Sequence, residues 1–303
     1  MNSPKKHRLN TLFLCGLFSL TPMSYAQDPM QITRKSTQST SFNMLSAYTH
    51  QQYQIDIYFP PNSNLPSEGY HVLYLLDGNA VIESAKTLTN ILTTSSKSSA
   101  NTTPVALVSI GYISTKNGFN TVQRALDYTP TPNTQQYARP PTVFGGAQLF
   151  SKFIEKELQP RIEHEYFINT QAQAIYGHSL GGLFVLNLLS QKNHLFNRFI
   201  AASPSIWFNQ YETINKPFKL KNNQMLMITF GSNEGAGPSG DTVHHAKEMR
   251  DKLFSTLKNT DNTWTYIQPG DQHIMNLYST LPKAILLTSC NSLVACHEQL
   301  DPQ

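Results

Sequence analysis

A serine bracketed by glycines, with a strand-like run before it and a helix-like run after it, constrains this chain more than any other feature. Gln173-Ala174-Ile175-Tyr176 leads into Gly177-His178-Ser179-Leu180-Gly181-Gly182, and Leu183-Phe184-Val185-Leu186-Asn187-Leu188-Leu189 follows. A chain built this way must turn sharply from a buried strand into a buried helix. The G-x-S-x-G pattern in that context predicts a nucleophile elbow, a strained turn that pushes the Ser179 side chain out of the backbone. Gly177 and Gly181 are expected to leave room for the helix to depart close beside the strand. The alternative, a glycine-rich turn with a solvated serine, does not account for the apolar runs on both sides.

The rest of the chain supplies the sheet such an elbow needs. Phe42 to Tyr48 and Tyr53 to Phe59 alternate and predict an antiparallel hairpin at a sheet edge. Buried-type apolar runs recur at His71 to Leu76, Val105 to Ile110, Ala174 to Tyr176, Phe199 to Ala202, Met225 to Phe230 and Trp264 to Ile267. Between them lie helical patterns, Val81-Ala85-Leu88-Leu92, Phe150-Phe153-Ile154-Leu158-Ile162 and Ala246-Met249-Leu253-Leu257. Alternation of this kind predicts an α/β chain with a mostly parallel central sheet and helices on both faces. The Ser/Thr tract Thr93 to Thr103 reads as a surface loop. From Tyr112 to Phe144 apolar residues are few and prolines many. A connection this long, leaving the carboxyl end of a strand, is expected to wall the site.

Residues 1–26 read as a secretory leader, with Lys5, Lys6 and Arg8 ahead of an apolar run from Leu9 to Leu20 and Ser24-Tyr25-Ala26 at the cleavage position. The run is too short for a retained transmembrane helix, and Cys15 lies mid-run, so no stable membrane insertion is expected once the leader is removed. A periplasmic or secreted product follows. Residues 27–41 form a polar mature N-terminus, and 42–303 one domain, since no linker divides them. Lys and Arg total 23 against 19 Asp and Glu, a formal charge of +4. Losing the three leader cations leaves the chain near neutral, which predicts no nucleic-acid partner. Cys290 and Cys296 then remain as a pair in an oxidising compartment, and a disulfide is preferred over two free thiols. Their spacing would rise about 9 Å in a continuous helix, too far for a bridge, so a helix must end near Cys290.

An unactivated serine is a poor nucleophile, so Ser179 requires a histidine and a group that orients it. The order along chains with this elbow is serine, acid, histidine. His194 lies in the connection after the elbow helix, His244 and His245 open an amphipathic helix, and His297 lies beyond the last apolar helix. His273 occupies the loop between the final strand and the final helix, and is read as the base. His178, within the elbow, is expected to point away from the nucleophile and to serve packing. Glu234, in Gly231-Ser232-Asn233-Glu234-Gly235, stands at a strand's carboxyl end and is read as the acid, with Asp241 and Asp271 as alternatives. The oxyanion donors are expected to be the N–H of Leu180 and that of Gly78 or Asn79, each worth roughly 3 kcal/mol of barrier. The pair His244-His245 lacks zinc-ligand spacing, and Gly235-Ala236-Gly237 precedes no nucleotide-type helix start. No metal and no cofactor are assigned.

Five ordered motifs carry a family resemblance. They are Tyr74-Leu75-Leu76-Asp77-Gly78-Asn79, Arg124-Ala125-Leu126-Asp127-Tyr128-Thr129-Pro130, Phe153-Ile154-Glu155-Lys156-Glu157-Leu158-Gln159-Pro160, the elbow, and Ala202-Ser203-Pro204-Ser205-Ile206-Trp207. Over roughly Phe42 to Leu287 the chain resembles the esterase family of α/β-hydrolases that includes the enterobactin-type siderophore esterases. The resemblance implies the α/β-hydrolase fold, Ser179 and His273 as nucleophile and base, and a small-molecule ester substrate such as a ferric or iron-free catecholate siderophore. The leader suits these enzymes better than the cytosolic S-formylglutathione hydrolases. Arg124 would then meet a catecholate or carboxylate, or else pair with Asp127 and hold its loop. Trp207 would stack on an aromatic ring of the ligand, or else be buried. Ile274-Met275 departs from the small residue that usually follows the histidine in this family. Three functions are left open, a siderophore trilactone esterase, a general carboxylesterase acting on acyl, acetyl or feruloyl esters, and a noncatalytic binding protein on a hydrolase fold.

Overall fold

The computed structural model describes residues 39–61, 66–94, 101–133, 143–191, 194–216, 218, 220–235, 242–257 and 260–301. The expected leader, most of the polar N-terminus, the middle of the Ser/Thr tract, Asp241 and residues 134–142 lie outside these. The expected hairpin is β1 (Thr40–Leu45) and β2 (Gln52–Tyr58), followed by β3 (Tyr70–Leu76), α1 (Gly78–Thr94) and β4 (Val105–Tyr112). Next come α2 (Thr121–Tyr128), α3 (Ala147–Phe153), α4 (Gln159–Glu165), β5 (Ile168–His178), α5 (Leu180–Ser190) and β6 (Arg198–Ala202). The chain continues through α6 (Phe208–Tyr211), β7 (Met225–Gly231), α7 (Val243–Leu257), β8 (Thr263–Gln268), α8 (Asn276–Ser279), α9 (Leu281–Ser289) and α10 (Leu293–Leu300).

The strands form one sheet in the order β1-β2-β4-β3-β5-β6-β7-β8. The pairings β1–β2 and β2–β4 are antiparallel, and the others are parallel. Both sheet faces are covered, which is why the inner strands read as continuous apolar runs rather than alternating ones. In β3, Val72, Tyr74 and Leu76 face a core shared with α3, α4, α5 and α7, whereas Leu73 and Leu75 face one shared with α1, α9 and α10. Among the described residues no helix is long and apolar enough to cross a membrane.

The structure corrects several local expectations. The Tyr112 to Phe144 connection is not structureless, because Thr121–Tyr128 forms α2, capped by Asn120 accepting from the Gln123 N–H at 3.0 Å. His297 lies beyond the apolar helix α9, as expected, but on a further helix, α10, that the sequence reading did not place. The pattern from Phe150 to Ile162 is broken by a wide turn at Ile154–Leu158, where the Gln159 N–H reaches back to the Ile154 carbonyl. Pro160 explains it, since it has no N–H to give Lys156 and its ring would strike that carbonyl. The helix before Cys290 ends at Ser289, as a bridge requires, and the Cys290 and Cys296 Cα atoms stand 5.4 Å apart with their sulfurs in contact.

Candidate active site

Ser179 links β5 to α5 with φ 58° and ψ −116°. A side chain in this region costs on the order of 1–3 kcal/mol, so its surroundings must hold it. Its N–H donates to the Ala202 carbonyl at 3.0 Å, and its carbonyl accepts from the N–H groups of Leu183 and Ser205, both at 2.9 Å. A Cβ on Gly177 would run into the Gly181 carbonyl, and one on Gly182 would come within 2.9 Å of the Pro204 Cα. One on Gly181 would approach Leu76 and Asp77 no nearer than 3.6 Å. The glycines the turn needs for space are therefore Gly177 and Gly182, and not Gly181 as the motif suggests.

The Ser179 Oγ lies 3.0 Å from His273 Nε2, and His273 Nδ1 lies 3.0 Å from Glu234 Oε2. Three parallel strands of one half of the sheet deliver these residues at their carboxyl ends, β5 to Ser179, β7 to Glu234 and β8 to the His273 loop. The other Glu234 oxygen accepts from the Gly231 N–H and the Ser203 hydroxyl, each at 2.5 Å. Ser203 has φ 41° and accepts from Asn276 Nδ2 at 2.6 Å. Asn276 is fully buried with Thr229 and Thr280, and all three share hydrogen bonds. A buried polar network therefore backs the carboxylate, and ionised it has an N–H or O–H donor for each oxygen.

The other candidates are engaged elsewhere. Asp271 accepts from the Ser279 hydroxyl. His194 contacts Lys221, His244 and His245 lie beside Glu248, and His297 bonds Asp301. His178 is 3 % exposed, with Nε2 2.8 Å from the His273 backbone oxygen. Burial, and then the nearby His273 charge, push its pKa down to about 3, so it stays neutral and donates from Nε2.

Arg124 does not pair with Asp127. Its Nε and Nη2 donate to the two oxygens of Asp77 at 2.9 Å each, and Nη2 also donates to the His178 carbonyl at 3.2 Å. Burial works against the guanidinium charge, but Asp77 beside it keeps the pKa high. Asp127 instead accepts from the Tyr53 hydroxyl and the Gln123 amide, both at 3.0 Å.

A cavity of about 480 Å³ opens onto Ser179 and His273. Its apolar wall comes from Phe144, Ile206, Trp207, Tyr211 and Phe230, and its polar lining from Ser205, Arg124, Lys247 and Arg250. Trp207 is half-buried and borders this space. The size and lining suit a small organic ligand. Sequence reasoning missed Ser203 and Ser205, although both lie in a motif it singled out, and missed the α7 cations entirely. The Ser205 Oγ is 3.2 Å from the Ser179 Oγ. Leu180 begins α5, so its N–H has no partner within the helix. Gly78 and Asn79 begin α1 at the end of β3, the strand beside β5. Asn79 Oδ1 accepts from the Tyr112 N–H at 2.7 Å.

Residues 46–284 match the Esterase family, described as "Putative esterase". The chain belongs to this family. It is 36% identical over 203 residues to the Ferri-bacillibactin esterase BesA of Bacillus subtilis, covering 63% of this chain and 66% of that one. It is 30% identical over 224 residues to the Apo-salmochelin esterase of Escherichia coli O6:H1, covering 72% and 67%. The matched stretch thus spans about two thirds of each relative's length. The BES protein structure from Bacillus cereus superposes with a TM-score of 0.71 at 29% identity, over 84% of this chain and 97% of that one.

Proposed function

We propose that this member of the family is a serine esterase that hydrolyses the ester bonds of a catecholate trilactone siderophore through an acyl-enzyme. The hydrogen-bonded line from Ser179 through His273 to Glu234 carries the reading, and the names of the two curated relatives support the substrate class. As His273 Nε2 takes the hydroxyl proton, the Ser179 Oγ attacks the ester carbonyl. Glu234 steadies the imidazolium through Nδ1. The oxyanion is held by the N–H of Leu180 with that of Gly78 or Asn79, and collapse expels the alcohol, protonated by His273. Water then enters by the same base and releases the acid. The cavity has room for one aromatic arm of such a substrate, with Trp207 available to stack on its ring. The leader over residues 1–26 and the Cys290–Cys296 pair support export to the periplasm or beyond.

Hydrolysis of p-nitrophenyl acetate, compared with ferric and iron-free catecholate trilactones, tests the reading. Turnover of either trilactone well above that of the simple ester is expected. Turnover of the simple ester alone would make the chain a general carboxylesterase, and no turnover by the folded protein would make it a binding protein.

A further inference from the structure

The elbow residue preceding Ser179 reaches the histidine loop. His178 ends β5, and its ring centroid lies 4.7 Å from that of His273, with the planes inclined by 44°. We infer that His178 is a positioning residue for the catalytic base, its Nε2–H holding the His273 backbone carbonyl so that the His273 ring stands between Glu234 and Ser179. The inference rests on the reading of Ser179 and His273 as nucleophile and base.

The His273 side chain is 46% exposed, and its loop neighbours Ile274 and Met275 are 50% and 51% exposed. Packing alone therefore holds this imidazole weakly. The bond from Nε2 to Ser179 cannot serve as a permanent anchor either, because Nε2 exchanges the serine proton for the leaving group's during each turnover. A bond to the main chain of the same residue leaves both ring nitrogens free for chemistry. Because the donor is the covalent neighbour of Ser179, the bond registers base and nucleophile to one rigid strand end.

His178 is itself well held. It is in register with Ala202 on β6, and its carbonyl accepts from Arg124, which Asp77 grips. Residue 176 lies on the same face of β5 as residue 178. The Tyr176 hydroxyl donates to the Leu277 carbonyl at 2.5 Å, so one row of side chains clasps the His273-to-Leu277 segment at both ends. Facing a carbonyl, Nε2 must carry the proton, and a neutral ring is needed so close to His273. A second imidazolium at that distance would oppose the charge His273 acquires as Ser179 attacks.

Three substitutions test this on p-nitrophenyl acetate. Glutamine places an amide N–H near the position of the imidazole Nε2, asparagine falls short of it, and leucine offers no donor. His178→Leu and His178→Asn should lower kcat on the order of 100-fold, the scale expected when a reacting group is held about an ångström out of place. KM should stay within about twofold, and phosphonylation of Ser179 by a fluorophosphonate should slow in step with kcat. His178→Gln should recover most of the loss. A His178→Leu kcat close to that of the parent would overturn the inference, as would equal losses in the Gln and Asn variants that follow melting temperature. Should the leucine variant fail to fold, the Gln and Asn pair, which share one polar chemistry, still decides it. Ser179→Ala, assayed alongside, separates the two claims, since continued turnover there would overturn the site itself and not only the role of His178.

Discussion

Arg124 and Asp77 meet through two parallel bonds of 2.9 Å, with the arginine side chain 11% and the aspartate side chain 1% exposed. Asp77 sits at φ 52° in the turn between β3 and α1, and its own N–H donates to the Tyr128 hydroxyl at 3.0 Å. The arginine thus braces the turn that carries Gly78 and Asn79, so its effect on a substrate is exerted largely through that turn.

Removing one member of this pair should destabilise the protein strongly. Arg124→Ala leaves a buried carboxylate without its counter-charge, a change that costs about 3–5 kcal/mol in comparable buried pairs. Thermal unfolding should show a melting temperature lower by roughly 10 °C. Turnover of a trilactone and of p-nitrophenyl acetate should fall together, whereas a loss confined to the trilactone would make Arg124 a substrate ligand first.

Ser179→Ala should abolish ester hydrolysis, with kcat down by at least about a thousandfold. The melting temperature should hardly change, because the strained backbone persists and no core atom is lost. Assay beside thermal unfolding checks both halves.

The elbow glycines should separate sharply. Gly177→Ala places a methyl group against the Gly181 carbonyl and should leave little folded protein, whereas Gly181→Ala meets only ordinary contacts at 3.6 Å and should fold. Soluble yield and circular dichroism of the two variants give the comparison. A folded, active Gly177→Ala would show that the strand and helix have slack there.

Asp127 should make stability fall as pH rises across the weakly acid range. Burial pushes its pKa from the ordinary 3.8 up to about 7, opposed by hydrogen bonds from Tyr53 and Gln123. Between those values the folded state binds a proton that the unfolded state has released. Its contribution is therefore complete below about pH 4, is lost as pH rises toward 7, and is level above that. Asp127→Asn cannot ionise, so its stability relative to the parent should improve between pH 4.5 and pH 8 in urea titrations. A constant difference would mean that the carboxyl keeps an ordinary pKa in the folded protein.

The layered sheet and the three residues at its carboxyl edge were legible because each rests on local signals. Apolar runs mark the strands, and His273 and Glu234 follow from their places in loops after the last two. The partner of Arg124 was not legible, because Asp77 lies 47 residues away, at the end of β3, while Arg124 lies on α2 after β4, the strand that pairs with β3. Helix α2 was hidden because its buried face consists of Ala125, Asp127 and Tyr128, too polar to read as an apolar stripe. The roles of Gly182 and Ser203 depend on the approach of α5 to Ala202 and Pro204 and on contacts of Ser203 with Glu234 and Asn276, which no spacing rule encodes.

The His273 loop follows β8, the last strand of the sheet, while β5 lies three places inward. The alignment of Ser179 with His273 therefore draws on hydrogen-bond ladders passing from β5 through β6 and β7 to β8, as well as on the direct clasp of the loop by His178 and Tyr176. Fluorophosphonate reactivity at one serine is thus a chemical gauge of half the sheet. In rising denaturant it should vanish as soon as β8 frays, ahead of the circular-dichroism transition, and so report the earliest loosening of the fold from a single atom.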